Sequence, residues 1–323
     1  MAQQAILKHG PVHLISVEEL PDDALVVPVC MMGAPTVMTE KLPQGDELIN
    51  AFRQLEQLLG RKIDAVLCGE AGGVNSTTPF VVAAAAGLPL IDGDGMGRAY
   101  PELQMVTFTM HGVSATPMVL CDDKGNSLVL QTVSNPWTER LARAATVEMG
   151  GSALLAFYPM SGEVAKKAVV RGTLSLCAKL GLTLREARAN HGNPVEAVAE
   201  TLEAVTLFHG RVTDVDRRRV GGFARGTATF SGVEEFKGHT FKLDFQKAAL
   251  DDKIVCTTPD LITLLDAESG TPVTADSLHY GLRLKALAFP CNPQWQTAAG
   301  IALVGPRYFG YDADYAPYFG AMV

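Results

Sequence analysis

The chain has 323 residues, of which 47% are hydrophobic and 19% charged, so two packed domains are expected and wholesale disorder is excluded. Its net charge of -8 argues against nucleic acid or an anionic membrane surface as the main partner. The apolar stretches are too short to span a bilayer, the first residues lack the apolar core of a signal peptide, and the six cysteines form no Cys-x-x-Cys pair. We therefore expect a reduced, cytoplasmic protein that acts on a small molecule and forms a homo-oligomer.

In chain order, the first half alternates apolar runs with helical repeats, separated by Gly-rich turns. Short runs rich in β-branched residues predict buried strands, and apolar residues spaced three and four apart predict helices. The predicted strands cover 10–17, 24–30, 63–68, 88–91, 106–111, 117–121, 127–133 and 153–158, and the predicted helices cover 46–59, 79–86 and 135–148. This alternation is typical of an α/β domain with a layered mixed sheet, which we place at residues 1–172.

The second half changes from helical to β-rich patterns. Two helical repeats joined by a turn at 190–194 predict a helical connector over residues 173–207. Short β-rich runs separated by polar turns then predict strands at 211–216, 226–230, 240–245, 252–257, 261–265, 282–288 and 302–304. Regular short strands of this kind are typical of a mostly-β domain, barrel- or sandwich-like, which we place at residues 208–323.

The stretch at 91–105 carries an unusual density of charge. Asp92, Asp94 and Glu102 supply three carboxylates among three glycines, and Arg98 supplies a guanidinium. The stretch follows a predicted strand, and ligands of open α/β sheets bind outside the carboxyl ends of the strands. A polar turn in which Arg98 neutralises its neighbours is the alternative. The charge density and the length of the irregular segment favour a binding site.

A second polar stretch follows the preceding predicted strand. Glu70, Gly72, Gly73 and Asn75 lie between that strand and the start of a predicted helix. A Gly-rich turn before a helix offers backbone N–H groups to an anion, although its spacing is not the Gly-x-Gly-x-x-Gly of dinucleotide sites. Strand, helix and strand form a βαβ unit with parallel strands, so Glu70 and Asp94 are predicted to share one rim.

These side chains suggest acid–base chemistry. Carboxylates gathered at one rim raise one another's pKa, so that one can act as a general acid and another as a base. They could equally hold a divalent cation such as Mg²⁺, or form a solvated rim without a function. Cys68 is a weaker candidate nucleophile because no histidine lies near it, and the histidines show no metal-ligand spacing. The candidate catalytic residues are Glu70, Asp94, Arg98 and Glu102, and the candidate substrate-binding residues are Gly33, Gly72, Gly73, Asn75, Asp92, Met96 and Gly97.

Several longer motifs are shared with one known family. They are Met32-Gly33-Ala34-Pro35, Glu70-x-Gly72-Gly73-x-Asn75, Asp94-Gly95-Met96-Gly97-Arg98-Ala99-x-Pro101-Glu102, Ala144-Ala145-Thr146-x-x-Met149-Gly150-Gly151-Ser152 and Gly221-Gly222-Phe223. On these motifs, spread along essentially the whole chain, the sequence resembles the bacterial and archaeal family named after S-methyl-thiohydantoin desulfurase. The resemblance implies an α/β N-terminal domain, a mostly-β C-terminal domain and a link to hydantoin-type ring metabolism. Family members often carry a Gly-rich segment upstream of the first strand, so the resemblance also implies a shortened N-terminus here.

The function that these residues favour is that of a small-molecule hydrolase acting on a thiohydantoin- or hydantoin-like ring. In this hypothesis a carboxylate activates water for attack at the ring carbon that carries sulfur. Arg98, or the backbone N–H groups at Gly72 and Gly73, stabilises the negative charge that develops. The alternative from a different class is a non-catalytic protein that binds a metabolite or partners a hydantoinase subunit. Turnover by the isolated chain would separate the two.

Overall fold

A computed structural model describes residues 1–33, 37, 45–220, 223–244 and 246–318, with 217–220, 223–225 and 276 described by their backbone alone. Ala34, Pro35, Gly221 and Gly222, which belong to the motifs above, lie outside the described residues. The chain forms two compact units, Met1–Leu176 and Cys177–Val323. The three-part division with limits at 172 and 207 stays a prediction. Within the described ranges, no helix has both the length and the apolar character needed to cross a bilayer.

The sheet of the N-terminal unit mixes parallel and antiparallel strands. The strands of this unit are β1 (Leu14–Ile15), β2 (Leu25–Gly33), β3 (Ala65–Cys68), β4 (Leu90–Ile91), β5 (Gly93–Asp94), β6 (Met118–Cys121), β7 (Ser127–Leu130), β8 (Ser152–Ala156), β9 (Met160–Ser161) and β10 (Val170–Arg171). The order across the sheet is β1-β4-β3-β2-β8-β6-β7, with β9 beside β2, and β5 and β10 form a separate pair. β1, β4, β3 and β2 run parallel, and the other pairings are antiparallel.

Most helices of this unit bury side chains in its core, whereas the first, Ala2–His9, buries none. Their bounds are Ala2–His9, Glu47–Leu59, Thr78–Ala86, Thr107–Met110, Asn135–Glu148, Gly162–Ala168 and the start of Thr173–Ala189, with a 3-10 turn at Val17–Glu19. Leu48, Phe52 and Leu55 recur at helical spacing and are buried in the core, as their spacing predicted. The unit holds one tryptophan, Trp137, whose side chain is 49% exposed.

The C-terminal unit is built on one antiparallel sheet that forms a half-barrel. Its strands are β11 (Val205–Val220), β12 (Phe223–Gly232), β13 (Thr240–Asp244), β14 (Lys247–Leu250), β15 (Lys253–Thr257), β16 (Leu261–Asp266) and β17 (Arg283–Phe289), in the order β15-β14-β13-β12-β11-β17-β16. The unit also contains the helices Pro194–Leu202 and Ala298–Val304, most of Thr173–Ala189, and 3-10 turns at Glu234–Phe236, Ala275–Ser277, Pro293–Gln296 and Pro306–Phe309.

Aromatic side chains fill the core of the C-terminal unit. The ring of Phe241 lies 5.1 Å from that of Phe208 and 5.6 Å from that of Phe230, centre to centre. Trp295 is fully buried in the same unit. The predicted fold class, an α/β domain with a layered mixed sheet followed by a mostly-β domain, is confirmed, and the β domain is a half-barrel rather than a sandwich.

Two predicted strands are helices in the structure. Residues 106–111 contain the short helix Thr107–Met110, and 302–304 belong to the helix Ala298–Val304. Both predictions were wrong because a short apolar run has the same composition in a buried strand and in a buried helix. In the second case the start of the helix is fixed by a side-chain cap, because the Gly300 N–H donates to the Thr297 hydroxyl at 3.1 Å.

Candidate functional site

Two acidic residues follow neighbouring parallel strands of the N-terminal unit. β3 and β4 lie side by side, with Val66 opposite Leu90, and the helix Thr78–Ala86 connects them. Glu70 comes two residues after β3, and Asp94 comes three residues after β4. The predicted βαβ unit is therefore present, and both acids follow the carboxyl ends of its strands.

Asp94 joins the loops that follow these two strands. Its side chain has no exposed surface. Its Oδ2 accepts a hydrogen bond from the Ala71 N–H at 2.7 Å, and both carboxylate oxygens lie 2.9 Å from the Gly97 nitrogen, which donates to them. Burial raises the pKa of Asp94 to about 7, although these backbone hydrogen bonds favour the charged form. Near neutral pH this carboxyl is therefore balanced between its two protonation states.

Glu70 is partly exposed, although protein surrounds most of its carboxylate. The Asn75 amide donates to its Oε1 at 2.7 Å. The same amide donates to the Met31 carbonyl at 3.0 Å and accepts from the Met31 N–H at 2.7 Å, so the end of β2 holds Asn75 in place. Burial raises the pKa of Glu70 to about 7, and the hydrogen bond from Asn75 partly opposes this shift.

The cause of these shifts differs from the one we expected. From the sequence, a raised pKa is expected from repulsion between neighbouring carboxylates. For both Glu70 and Asp94 the main cause is loss of water around the buried carboxyl group. Each group therefore owes its raised pKa to its own surroundings.

Cys68 supports the turn that carries Glu70. Its thiol donates to the Glu70 carbonyl at 2.9 Å and to the Asn75 carbonyl at 3.2 Å. Burial raises the pKa of this thiol well above its usual range, and the nearby charges of Asp94 and Glu70 raise it further. A thiol that stays protonated and donates to backbone carbonyls is a structural group, which agrees with the weak case for a nucleophile.

The glycines predicted to contact a ligand have different surroundings. Gly33 ends β2 with φ of +132°, and a Cβ there would lie 2.2 Å from the Gly151 carbonyl oxygen. A Cβ on Gly72 would meet only side-chain atoms at 3.8 Å, and one on Gly73 would meet no atom within 4 Å. The structure thus gives Gly33 a role in chain packing, whereas the Gly72-Gly73 turn has open space beside it.

The loop after β5 carries Arg98 beside an aromatic ring. The Arg98 guanidinium lies 4.7 Å from the centre of the Tyr100 ring, and its side chain is partly exposed. The Tyr100 N–H donates to the Met96 sulfur at 3.3 Å, and Met96 is buried. Gly97 has φ of 72°, which glycine adopts without strain. Met96 and Gly97 therefore shape the loop, and Arg98 lies partly exposed against the Tyr100 ring.

Two glutamates lie beside the same loop: Glu102, a predicted catalytic residue, and Glu139, which the sequence patterns did not indicate as a candidate. Glu102 accepts a hydrogen bond from the Gln104 side chain. Glu139, which is 5% exposed, accepts from the Leu103 N–H at 2.9 Å and pairs with Arg143 one helical turn away. The sequence feature that could have drawn attention to Glu139 is its spacing from Arg143, because residues four apart are neighbours on the surface of a helix.

Asp92 is used as a helix cap. Its Oδ1 accepts from the N–H groups of Leu174 and Ser175 at 3.1 and 3.0 Å, and its Oδ2 accepts from the Ser175 hydroxyl at 2.5 Å. These groups begin the helix Thr173–Ala189, whose first N–H groups have no partner within the helix. The structure thus occupies both carboxylate oxygens of Asp92 with the start of a helix.

The candidate catalytic carboxylates do not assemble a three-ligand metal site. Among the described residues, one set of three acidic, histidine or cysteine side chains brings its ligand atoms within 4.8 Å of one another, and it lies in the C-terminal unit. Glu70, Asp94 and Glu102 are not members of that set. The possibility of a cation held by these three carboxylates gains no support from their positions.

Comparisons with known proteins agree with this architecture. The S-Me-THD-like N-terminal domain matches residues 1–132, and the S-Me-THD-like C-terminal domain matches residues 133–318. The chain belongs to the S-methyl-thiohydantoin desulfurase-like family. An X-ray structure of a protein from Chromobacterium violaceum, solved by a structural genomics consortium, is similar to this S-Me-THD-like chain with 25% identity and a TM-score of 0.79. The likeness covers 95% of this chain and 87% of that one. No curated protein matches the sequence.

The candidate residues divide between the two S-Me-THD-like domains. Glu70, Asp94, Arg98 and Glu102 belong to the N-terminal domain, whereas Glu139 belongs to the C-terminal domain. The two family domains meet after residue 132, but the compact units meet after Leu176. The N-terminal compact unit therefore contains the start of the S-Me-THD-like C-terminal domain.

Proposed function

We propose that this S-Me-THD-like protein is a hydrolase that replaces a sulfur substituent on a thiohydantoin- or hydantoin-like ring with oxygen from water. The observation that supports the proposal best is Glu70, a partly exposed residue whose carboxyl group is largely surrounded by protein, so that burial raises its pKa to about 7. Asn75 orients this carboxyl at the end of a parallel strand. A general base is most effective when its pKa lies close to the working pH.

In the proposed reaction, the Glu70 carboxylate takes a proton from water as the water oxygen adds to the ring carbon that carries sulfur. The carbon–sulfur bond then breaks, the departing sulfur receives the proton held by Glu70 and leaves as a thiol, and the second proton of the water passes to the ring nitrogen. One water is consumed, a ring carbonyl and a thiol are formed, and Glu70 returns to its charged form. No oxidant or reductant is needed.

Other candidate residues have supporting roles in this proposal. Arg98, partly exposed in the loop after β5, opposes the negative charge that develops on the ring, together with N–H groups of the Gly72-Gly73 turn. Asp94 is fully buried, so it positions the loops through Ala71 and Gly97 and does not contact the ring. None of the six cysteines, all within the described residues, forms a disulfide, which fits the proposed cytoplasmic location.

The proposal is tested by thiol release from an S-methylated thiohydantoin at several pH values. For the unaltered protein we expect kcat/KM to rise as the pH increases through about 7, because the base must be charged. Glu70→Gln should lower kcat by roughly 10²- to 10⁴-fold, the usual contribution of a general base. The control is Glu163→Gln, which removes an exposed ion pair with Lys167 and should leave the rate unchanged.

Two results would contradict the proposal. One is an unchanged rate and pH profile in Glu70→Gln. The other is saturable binding of the thiohydantoin without release of thiol, which would favour the non-catalytic alternative.

A further inference from the structure

A buried histidine and two glutamates converge within the C-terminal unit. His209 lies on β11, and Glu234 and Glu235 lie on the 3-10 turn that follows β12. Their imidazole nitrogen and carboxylate oxygens all lie within 4.8 Å of one another. The three residues belong to two separate segments of the chain, so only the pairing of the strands brings them together.

A backbone hydrogen bond and an aromatic contact hold this turn against β11. The Val233 N–H donates to the His209 carbonyl at 3.0 Å. A Cβ on Gly232 would lie 1.8 Å from the Phe236 carbonyl oxygen, so only glycine permits the turn to close this tightly. The Phe236 ring packs against Phe208, with ring centres 5.0 Å apart. The backbone of the turn that carries the two glutamates is therefore held beside His209.

The ring of His209 supplies an independent indication of a ligand. The residue is 7% exposed, and its Nδ1 is buried without a hydrogen-bond partner among the described residues. Burying a polar nitrogen in this state is costly, and such groups are rare in folded proteins. Nδ1 lies 3.3 Å from Glu234 Oε2, close to it but outside hydrogen-bonding geometry. Two ligands of one tetrahedral ion, each bonded at roughly 2.0–2.1 Å, lie roughly 3.3–3.4 Å apart.

We propose that His209, Glu234 and Glu235 form a site for one divalent transition-metal ion, most suitably Zn²⁺. One imidazole nitrogen with two carboxylate oxygens is a donor set that Zn²⁺ accepts, and water completes the coordination. The Glu234 side chain is 69% exposed, so the ion and its water have access from solvent. Lys285 lies directly opposite His209 on the neighbouring strand and is paired with Glu196 at 2.7 Å, so its charge is compensated. The bound ion would tie β11 to the turn after β12.

The test uses the full chain without an affinity tag, stripped with a chelator and titrated with Zn²⁺ by calorimetry and with Co²⁺ by visible absorption. We expect one equivalent to bind and the melting temperature to rise with Zn²⁺. Glu234→Gln should weaken binding by at least roughly tenfold, and Glu234→Gln with Glu235→Gln should abolish the Co²⁺ spectrum. Both glutamates are exposed, so these variants keep the fold even if His209→Ala does not.

The matched control is His239→Gln. This change removes an exposed histidine that pairs with Asp251 at 2.6 Å in the same unit, and it should leave Zn²⁺ affinity unchanged. The proposal is overturned if the unaltered protein binds no Zn²⁺, or if the double glutamine variant binds it equally well. In either case His209 and Glu234 form only an ion pair.

Discussion

At the scale of single residues, Glu70 makes the stability of the N-terminal unit depend on pH in an uncommon direction. Its pKa in the folded protein is about 7, above the ordinary value of 4.5. Between these values the folded protein holds a proton that the unfolded chain has released. The stabilising contribution is therefore fully present below about pH 4.5 and is lost as the pH rises through about 7. A shift of this size is on the order of 3 kcal/mol.

We predict that Glu70→Gln reduces this loss, because glutamine is neutral at every pH and its Oε1 can still accept from Asn75. The measurement is the free energy of unfolding in urea at about pH 5 and about pH 8, followed by helical circular dichroism. The decrease between these conditions should be smaller in the variant by up to the order of 3 kcal/mol. Glu163→Gln serves as control, and an equal decrease in all three proteins would remove Glu70 as the group that holds the proton.

At the scale of elements, two glycines that were predicted to bind a ligand differ in their surroundings: Gly33 is tightly packed, whereas Gly73 has open space beside it. A Cβ on Gly33 would overlap the Gly151 carbonyl at 2.2 Å in a left-handed backbone, whereas one on Gly73 would touch nothing within 4 Å. We predict that Gly33→Ala destabilises the N-terminal unit by more than about 2 kcal/mol and Gly73→Ala by less than about 0.5 kcal/mol. Urea unfolding of the two variants compares them directly, and equal losses of stability would mean that the end of β2 can move to accept a side chain.

Elements with clear local patterns could be predicted from the sequence, whereas contacts between distant segments could not. The helix Glu47–Leu59 and the strands before Glu70 and Asp94 carry clear local patterns, and the predicted βαβ unit is present. The use of Asp92 as a cap could not be predicted, because the helix that it begins lies about 80 residues further along the chain. The contact between His209 and Glu234 could not be predicted either, because it depends on strand register and on a tight turn rather than on spacing in the sequence.

At the scale of the whole molecule, each unit has a hydrophobic core of its own. Phe52 is buried in the N-terminal core and Phe241 in the C-terminal core. We predict that Phe52→Ala and Phe241→Ala each destabilise their own unit by roughly 3–5 kcal/mol, because a large cavity is left in a packed interior. Hydrogen exchange followed by mass spectrometry would locate the loss, and Val133→Ala, at a side chain that is 90% exposed, is the control. Increased exchange in the wrong unit would contradict this assignment of the cores.

The placement of the two tryptophans gives this protein a built-in optical label for each unit. Trp137 is 49% exposed and Trp295 is fully buried, so Trp137 fluoresces in contact with water and Trp295 fluoresces in an apolar interior. A soluble quencher such as acrylamide reaches Trp137 and spares Trp295 for as long as the C-terminal unit stays folded. When that unit unfolds, Trp295 enters water and its emission moves to longer wavelength. The unfolding of the C-terminal unit can therefore be followed by the wavelength of tryptophan fluorescence, without attaching a dye.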